Sequence, residues 1–440
     1  MGSRATDMEL TIYRGTHEIG GNCVEICSGS SRIVLDIGIP LFDADGEPFN
    51  SKLLEGKTTK ELLAAKILPA VPGVFAPGSS PDAILLSHAH LDHTGFLGHT
   101  RRKIPVYSTK GTSKIMHAGG LMAGGVELPK ERFRELKPEK QVRIGAFRVT
   151  AFSVDHSVFG SVAFLIEADG KALLYSGDLR LHGRKTGMVK VLWQALRETT
   201  VDVLLIEGTH LGEGKSEGMD EYDLEDEIVR QIRPVKGLVL ASFSPQHVDR
   251  LVAFIRAAKK TKRLFVADLY CAYVLHLINL ETIPYPSREE GIPVFHPKWL
   301  VASLKRRRVG KVPKMFRDSE ITWDEILKTP DRYLMLFRPS MLESDFKGRL
   351  PDGLRCIYSR WEGYLDQPDW VTTQAKIQAA GGDLIPLHTS GHIFARDLSR
   401  FIREVNPRLV VPIHTREPQA FQGIFEHVRV LSDGETLQVP

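Results

Sequence analysis

Directly behind one short apolar run, residues 83–87, the chain places His88, His90, Asp92 and His93 within six residues. No other feature restricts the fold as much. An uninterrupted Ala-Ile-Leu-Leu run reads as a strand buried on both faces, which ends by handing its next residues to a sheet edge. Imidazole and carboxylate are the donor set for zinc or a similar borderline cation. Adjacent Asp92 and His93 cannot both turn to the metal served by His88 and His90 without strain, so the spacing suits two metals side by side. The rival reading is a chance cluster on a surface loop, a rare coincidence with 16 histidines among 440 residues.

One loop cannot complete two coordination shells, so further donors should stand at other strand ends. His156 follows a strand at 149–154, and Asp178 follows one at 172–176. Asp36 ends another apolar strand. It reads either as an acceptor that orients a ligand histidine or as a turn-forming Asp. Short strands at 9–14, 22–27, 32–38, 142–152, 161–168 and 203–207 complete a first half that reads as a sheet-on-sheet core. An acidic helical stretch follows at 213–233. Beyond it strand and helix alternate: strand 237–242, helix 246–260, strand 264–269, then strands 333–337, 355–358 and 384–387. Such alternation implies a parallel sheet flanked by helices. A helix at 394–405 and a strand at 409–414 close the chain. With no linker between the parts, the α/β block reads as inserted within the first domain.

The His-x-His-x-Asp-His loop with isolated His and Asp tips on later strands resembles the metallo-β-lactamase superfamily. Glu207 ends its strand, and the long insertion is followed by Ser390-Gly391-His392 and Val411-Pro412-Ile413-His414. That order resembles the β-CASP branch of nucleases, in particular the ribonuclease J type. The resemblance implies an α/β fold, an αββα sandwich from 1–208 and 386–440, with an inserted α/β β-CASP domain from 209–385. It implies that His88, His90 and His156 bind one zinc ion, that Asp92, His93 and His414 bind a second, and that Asp178 bridges them. Two Zn²⁺, with Mn²⁺ as an alternative, would hold a bridging hydroxide aimed at phosphorus. Asp92, Glu207 and His392 are then the catalytic candidates, with His392 a general acid oriented by Glu207. His388 reads as an ordinary loop histidine or as part of the same site.

Phosphate contacts are expected at Ser390 and Gly391, ahead of a helix, and at Ser244, Ser340 and Ser359, each just after a strand of the insertion. Turn chemistry is the plain alternative for these serines. Trp361 and Tyr364 could stack on bases, and Arg180, Arg338 and Arg360 could line a basic channel between the domains. The implied substrate is single-stranded RNA, cut as a 5′→3′ exonuclease, an endonuclease or both; His414 favours RNA over DNA within the family. A β-CASP DNA nuclease and a hydrolase of a small ester or lactone are the rivals. Gly208-Thr209-His210 departs from the Ser-Thr-Tyr-like continuation of relatives. The run Lys305, Arg306, Arg307, Arg308, Lys311 and Lys314 has no family counterpart; it is a solvated loop or a phosphate contact.

The net charge of +4 is too small to argue for nucleic-acid binding by itself. Four cysteines cannot frame the fold, and they read as reduced thiols of a cytoplasmic protein. No run of about 18 apolar residues suggests a membrane span. Met1, Gly2 and Thr6 match a loose myristoylation pattern that is equally a cloning remnant. A homodimer is compatible with the family.

Overall fold

The computed structural model describes residues 8–43, 46–212 and 216–440. Met1, Gly2, Thr6 and Glu213 lie outside the described residues. The chain divides into two compact units. The first is Met1–Gly120, Gly125–Gly218 and Gly391–Pro440; the second is Leu121–Gly124 and Met219–Ser390. The breaks thus fall after Gly218 and after Ser390, whereas the sequence pattern alone places them after 208 and 385.

The first unit stacks two sheets. One runs in the order Thr436–Gln438, Glu9–Arg14, Cys23–Ser28, Ser31–Leu35, Ala83–Leu85, Val106–Ser108, Phe133–Glu135. The other runs Leu409–Ile413, Val203–Glu207, Lys171–Tyr175, Val162–Ala168, Phe147–Ser153, Gln141–Ile144. The single strand expected at 142–152 is a hairpin, because Gly145 takes φ 57° and Ile144 pairs back on Phe147. Only a residue tolerant of positive φ permits so short a turn.

Ile12, Val24, Leu35 and Leu85 meet Val149, Phe164, Leu173, Leu205 and Val411 in one buried layer between the sheets. Strand alternation sends Leu174, Leu204, Ile206 and Val410 to the opposite face of the second sheet. There they pack on Leu192 and Leu196 of helix Gly187–Leu196 and on Phe401 and Ile402 of helix Ala395–Val405. In the latter helix Leu398, Phe401, Ile402 and Val405 recur at helical spacing, which explains its stripe. The outward residues of the first sheet, Val34 and Ile84, are fully buried as well. The unit is the αββα sandwich.

Five strands with parallel neighbours deliver polar residues to one edge of the sandwich. Ser31–Leu35 pairs in parallel with Ala83–Leu85, and Leu409–Ile413, Val203–Glu207 and Lys171–Tyr175 are successive parallel neighbours. Their carboxyl ends carry Asp36, the His88–His93 loop, His414, Glu207 and Asp178. Three of them end abruptly in left-handed residues, Asp36 (φ 53°), Gly177 (φ 54°) and His414 (φ 54°). That conformation stops a strand and turns the chain at once, so side chains leave in a shared direction.

The second unit is a wholly parallel seven-stranded sheet in the order Glu320–Ile321, Val294–Phe295, Leu264–Asp268, Tyr333–Leu336, Val239–Ser242, Arg355–Tyr358, Asp383–Pro386. Leu240, Val266, Met335, Cys356 and Trp370 lie in its core. The acidic helix is Glu221–Ile232, shorter than 213–233, because the Asp220 carboxylate accepts from the Tyr222 and Asp223 amides and fixes its start. The helix expected from 246 begins at Val248, since residues 244–247 form a turn in which the His247 amide donates to the Ser244 carbonyl.

Gly38 is where the two strand ends of the first sheet close on each other. A Cβ there would sit 1.5 Å from the Asp92 carbonyl oxygen and 2.1 Å from its carbon, both backbone atoms that no rotamer can move. Gly38→Ala should therefore cost about 3 kcal/mol of stability or more. Urea denaturation checks this, and an unchanged midpoint would contradict the packing described.

Candidate metal centre

The buried strand Ala83–Leu85 releases the histidine loop, and residues Leu91–Thr94 close it into a single helical turn. The Thr94 hydroxyl donates back to the His90 carbonyl, and the His93 amide donates to the same carbonyl. One turn of helix swings Asp92 and His93 away from His88 and His90, which separates the loop into two donor pairs. Asp178 arrives from the second sheet between them. Its Oδ2 lies 3.2 Å from His93 Nε2, 3.6 Å from His88 Nε2, 3.7 Å from His392 Nδ1 and 3.8 Å from both His156 Nε2 and His414 Nε2.

The far nitrogens are committed elsewhere, and that sets which lone pairs face inward. His93 Nδ1 donates to Asp36 Oδ2 at 2.8 Å. His156 Nδ1 donates to the Gly391 carbonyl at 2.6 Å. His88 Nδ1 lies 3.0 Å from the Ser87 hydroxyl, whose own proton goes to Asp36 at 2.7 Å. His414 Nδ1 donates to the Thr209 hydroxyl at 3.0 Å, and Thr209 donates on to Glu207 Oε2 at 2.7 Å. Asp36 is held in turn by the Ser87 amide and the Tyr175 hydroxyl, both at 2.7 Å. Asp36 thus orients His93, and its left-handed backbone also makes the turn; both readings of this residue describe it.

Among the described residues two four-donor clusters result, His88, His90, His156 and Asp178, and Asp92, His93, Asp178 and His414, beside a smaller group of Glu207, His392 and His414, each with donor atoms within 4.8 Å of one another. The donors themselves show whether they suit cations. His90 Nδ1 stands 3.1 Å from His88 Nε2 and 3.2 Å from His156 Nε2. A tetrahedral ion with nitrogen ligands at about 2.0–2.1 Å needs them about 3.3 Å apart. Both Asp178 oxygens and His93 Nε2 are buried without a hydrogen-bond partner. Such atoms are costly unless something charged satisfies them.

Protonation states agree at the first cluster, whereas at the second burial opposes a charged His93 but Asp178, Asp36 and Asp92 outweigh it and raise it well above the usual imidazole range, so a cation there would displace a proton. Burial holds His88 and His156 well below the usual imidazole range and brings His90 down to about 4, so all three present lone pairs. Burial works against ionised carboxylates, but His414, His93 and His392 keep Asp178 well below its ordinary value, and His93 and His414 bring Asp92 to about 2. Neutral imidazoles and ionised carboxylates are the forms that bind metal. The residues fit a divalent cation at each cluster.

Glu207 and His392 meet at the rim. His392 Nδ1 lies 3.1 and 3.2 Å from the two Glu207 oxygens, and its ring stacks on His414 with centroids 5.3 Å apart. Burial opposes a charged imidazole, yet Glu207 and then Asp178 outweigh it and raise His392 to about 9. Glu207 itself is fully buried and also accepts from the Leu179 amide.

The other candidates separate. Gly391, expected at a phosphate, spends its carbonyl on His156, and a Cβ there would press on Ser157 at 2.8 Å. Ser390 is half-buried, and Ser244 and Ser340 are exposed. Ser359 must be corrected. It is buried, its hydroxyl proton goes to the Leu387 carbonyl, and it accepts from Arg250, so it offers nothing to a ligand. His388 belongs to the same network in the second unit. Its Nδ1 lies 3.1 Å from Arg250 Nη1, and burial and Arg250 press it down to about 2. Arg180 is another correction, for it is buried and its Nε donates to Asp155 at 2.8 Å. Arg338 pairs with Asp268 at 2.6 Å, while Arg360 lies over the Tyr364 ring beside exposed Trp361. His210 stacks on Phe394 at 5.5 Å. Thr209 and Tyr175 were missed as orienting residues. A hydroxyl ending or following an apolar strand was their only signal.

Comparison with known proteins bears on this centre. Residues 57–268 match a beta-lactamase superfamily domain, and residues 383–429 match a Zn-dependent metallo-hydrolase RNA specificity domain. The chain belongs to the metallo-β-lactamase superfamily. Its relatives in the superfamily include ribonuclease J of Mycolicibacterium smegmatis, 22% identical over 96% of this chain and 70% of that protein. Ribonuclease J of Mycobacterium tuberculosis is 26% identical over 92% of this chain and 68% of that protein, and ribonuclease J of Pyrococcus abyssi 23% identical over 92% and 89%. A protein of unknown function from Enterococcus faecalis V583 shares the fold, with a TM-score of 0.80 at 21% identity over 98% of this chain and 99% of that one. This member is ribonuclease J-like with β-CASP organisation and is a metal-dependent hydrolase. Among the described residues, no helix is long and apolar enough to cross a membrane.

Asp36 reaches the metal donors only through their far sides, His93 above all, so its charge can be removed alone. Asp36→Asn should weaken metal binding about 10–100-fold with little loss of secondary structure. Competition with a chromophoric chelator measures it.

Proposed function

We propose that this chain is a zinc-dependent nuclease that hydrolyses phosphodiester bonds of single-stranded RNA, as a 5′→3′ exonuclease, an endonuclease or both, in the cytoplasm. The carrying observation is the Glu207–His392 pair at the rim of the paired metal clusters. A lactone or thioester hydrolase needs the metals; a protonated imidazole held beside them suits a leaving alkoxide. The matched RNA specificity domain spans residues 383–429 and so contains Ser390, Gly391, His392 and His414. The relatives named ribonuclease J support the same substrate class.

In this reading His88, His90, His156 and Asp178 hold one ion, Asp92, His93, Asp178 and His414 hold the second, and Zn²⁺ or Mn²⁺ fills them. Bound there, such a pair would lower the pKa of a water molecule and neutralise charge on the phosphoryl oxygens. The chain supplies the rest. Asp36, Ser87, Gly391 and Thr209 keep four histidines in the tautomer with the inner nitrogen bare. Asp92 Oδ2 stands 3.2 Å from His414 Nε2, the spacing of two donors that share one ion. Glu207 keeps His392 protonated and aims it, so that it can give its proton to the leaving 3′-oxygen. Ser390, Ser244 and Ser340 are the hydroxyls proposed to contact substrate phosphates.

Time courses on 5′-monophosphorylated, 5′-triphosphorylated and circular RNA, beside single-stranded DNA and a lactone, test the reading. Lactone turnover without RNA cleavage would overturn it, and cleavage of DNA alone would move the substrate. His392→Ala should leave both metals bound and lower kcat about 10²–10⁴-fold. Metal loss in that variant would make His392 a ligand instead, as its grouping with Glu207 and His414 would allow. The pH profile separates the partners. His392 acts when protonated, so activity falls as pH rises through its pKa. Glu207 raises that pKa, and Glu207→Gln should therefore shift the alkaline limb to lower pH. A profile that stays in place would remove Glu207 from the role.

A further inference from the structure

Residues 291–317 hold eight Lys and Arg and no Asp or Glu. Elsewhere the second unit carries more acids than bases, so this concentration is local. The segment is built rather than loose. Helix Lys298–Arg306 and the short helix Lys311–Met315 are pinned from beneath by Leu300, Leu304, Val312 and Phe316, all buried. Between the helices Arg308 takes φ 58°, and the Val309 amide donates back to the Leu304 carbonyl at 2.8 Å. This left-handed cap folds the second helix beside the end of the first. The apolar anchors point in, and Lys305, Arg306, Arg308, Lys311, Lys314 and Arg317 are all exposed. Arg307 is spent differently, donating to the Leu121 carbonyl at 2.6 Å.

A helix dipole accounts for Lys305 and Arg306 in the last turn, but its effect fades within that turn and leaves the later cations unexplained. Apolar rings border them. Trp299, 36% exposed, precedes Arg306 by seven residues and therefore shares its helix face. Tyr285, 41% exposed, connects to the same segment, since its hydroxyl lies 2.9 Å from His276 Nδ1 and the His276 ring lies 6.3 Å from that of the buried anchor Phe316. Cations interleaved with exposed aromatic rings suit a flexible chain of phosphates and bases.

We infer that this face of the second unit is an RNA-binding surface, touching backbone phosphates through Lys305, Arg306, Arg308, Lys311, Lys314 and Arg317 and stacking bases on Trp299 and Tyr285. The inference rests on the RNA reading of the metal centre, but it concerns nucleotides other than the one being hydrolysed. It gives the chain a reason to hold long RNA more tightly than short RNA.

The test uses the full chain with Lys305→Ala, Arg306→Ala, Arg308→Ala and Lys311→Ala combined, all exposed positions outside the metal centre. Fluorescence anisotropy with a phosphorothioate RNA of about 30 nucleotides across a salt series should show affinity falling at least about tenfold and the log–log salt slope flattening by about 2–3. Affinity for a trinucleotide, and hydrolysis of bis(4-nitrophenyl) phosphate, should not change. Trp299→Ala should weaken long-RNA binding without altering the slope. An unchanged affinity and slope for long RNA overturn the inference. So does a slope unchanged for RNA while binding to phosphatidylserine vesicles or to an acidic peptide is lost. Failure of the nuclease reading would show separately, as a wild-type chain that does not cleave RNA at all.

Discussion

Asp178 is a carboxylate sealed between two sheets with neither oxygen hydrogen-bonded. Removing an ion from water costs several kcal/mol, which hydrogen-bond donors or opposite charge at close range must offset. Five imidazole nitrogens within 3.8 Å answer it only in part, because burial drives two of those histidines, His88 and His156, toward their neutral form. A bound cation would answer the rest, and the architecture around Asp178 suits one. The parallel strands bring donors to one edge. The left-handed strand ends turn those donors inward. Asp36, Ser87, Thr209 and the Gly391 carbonyl then decide which nitrogen of each histidine is bare.

Orientation is distributed among groups that stand behind the two four-donor clusters. Glu207 illustrates it. Through Thr209 it reaches His414, and directly it reaches His392, so one buried carboxylate orients both histidines together. His392 and His414 are stacked neighbours of the same residue type, and their partners make them chemically different. His414 has its Nδ1 proton tied to a hydroxyl, whereas His392 faces an anion and is held protonated.

The second unit handles charge in the opposite way. Arg250 is fully buried but saturated by Glu221, Ser359, Thr389 and His388, so that network is structural and closed. Its open charge lies in the helices around Arg308, where anchors hold the underside and six cations face solvent. A net charge of +4 for the whole chain conceals both arrangements.

That these side chains gather at one site was legible in the sequence because they are crowded and of a restricted type. His88, His90, Asp92 and His93 announce themselves by spacing, and His156, Asp178, Glu207, His392 and His414 each mark the end of a strand or a motif. The parallel block of the second unit was legible from alternation alone. What the sequence could not separate were residues whose role depends on a partner far along the chain. Ser359 looks like any serine after a strand until Arg250 and Leu387 close over it. Arg180 looks like a channel cation until Asp155 pairs with it, and Gly391 acts through a carbonyl that carries no sequence signal. Composition and periodicity determine which groups exist and which face of an element they occupy. Which nitrogen is bare, which proton is committed and which charge is sealed are decided only when strands distant in sequence are packed edge to edge, because those properties belong to pairs of residues.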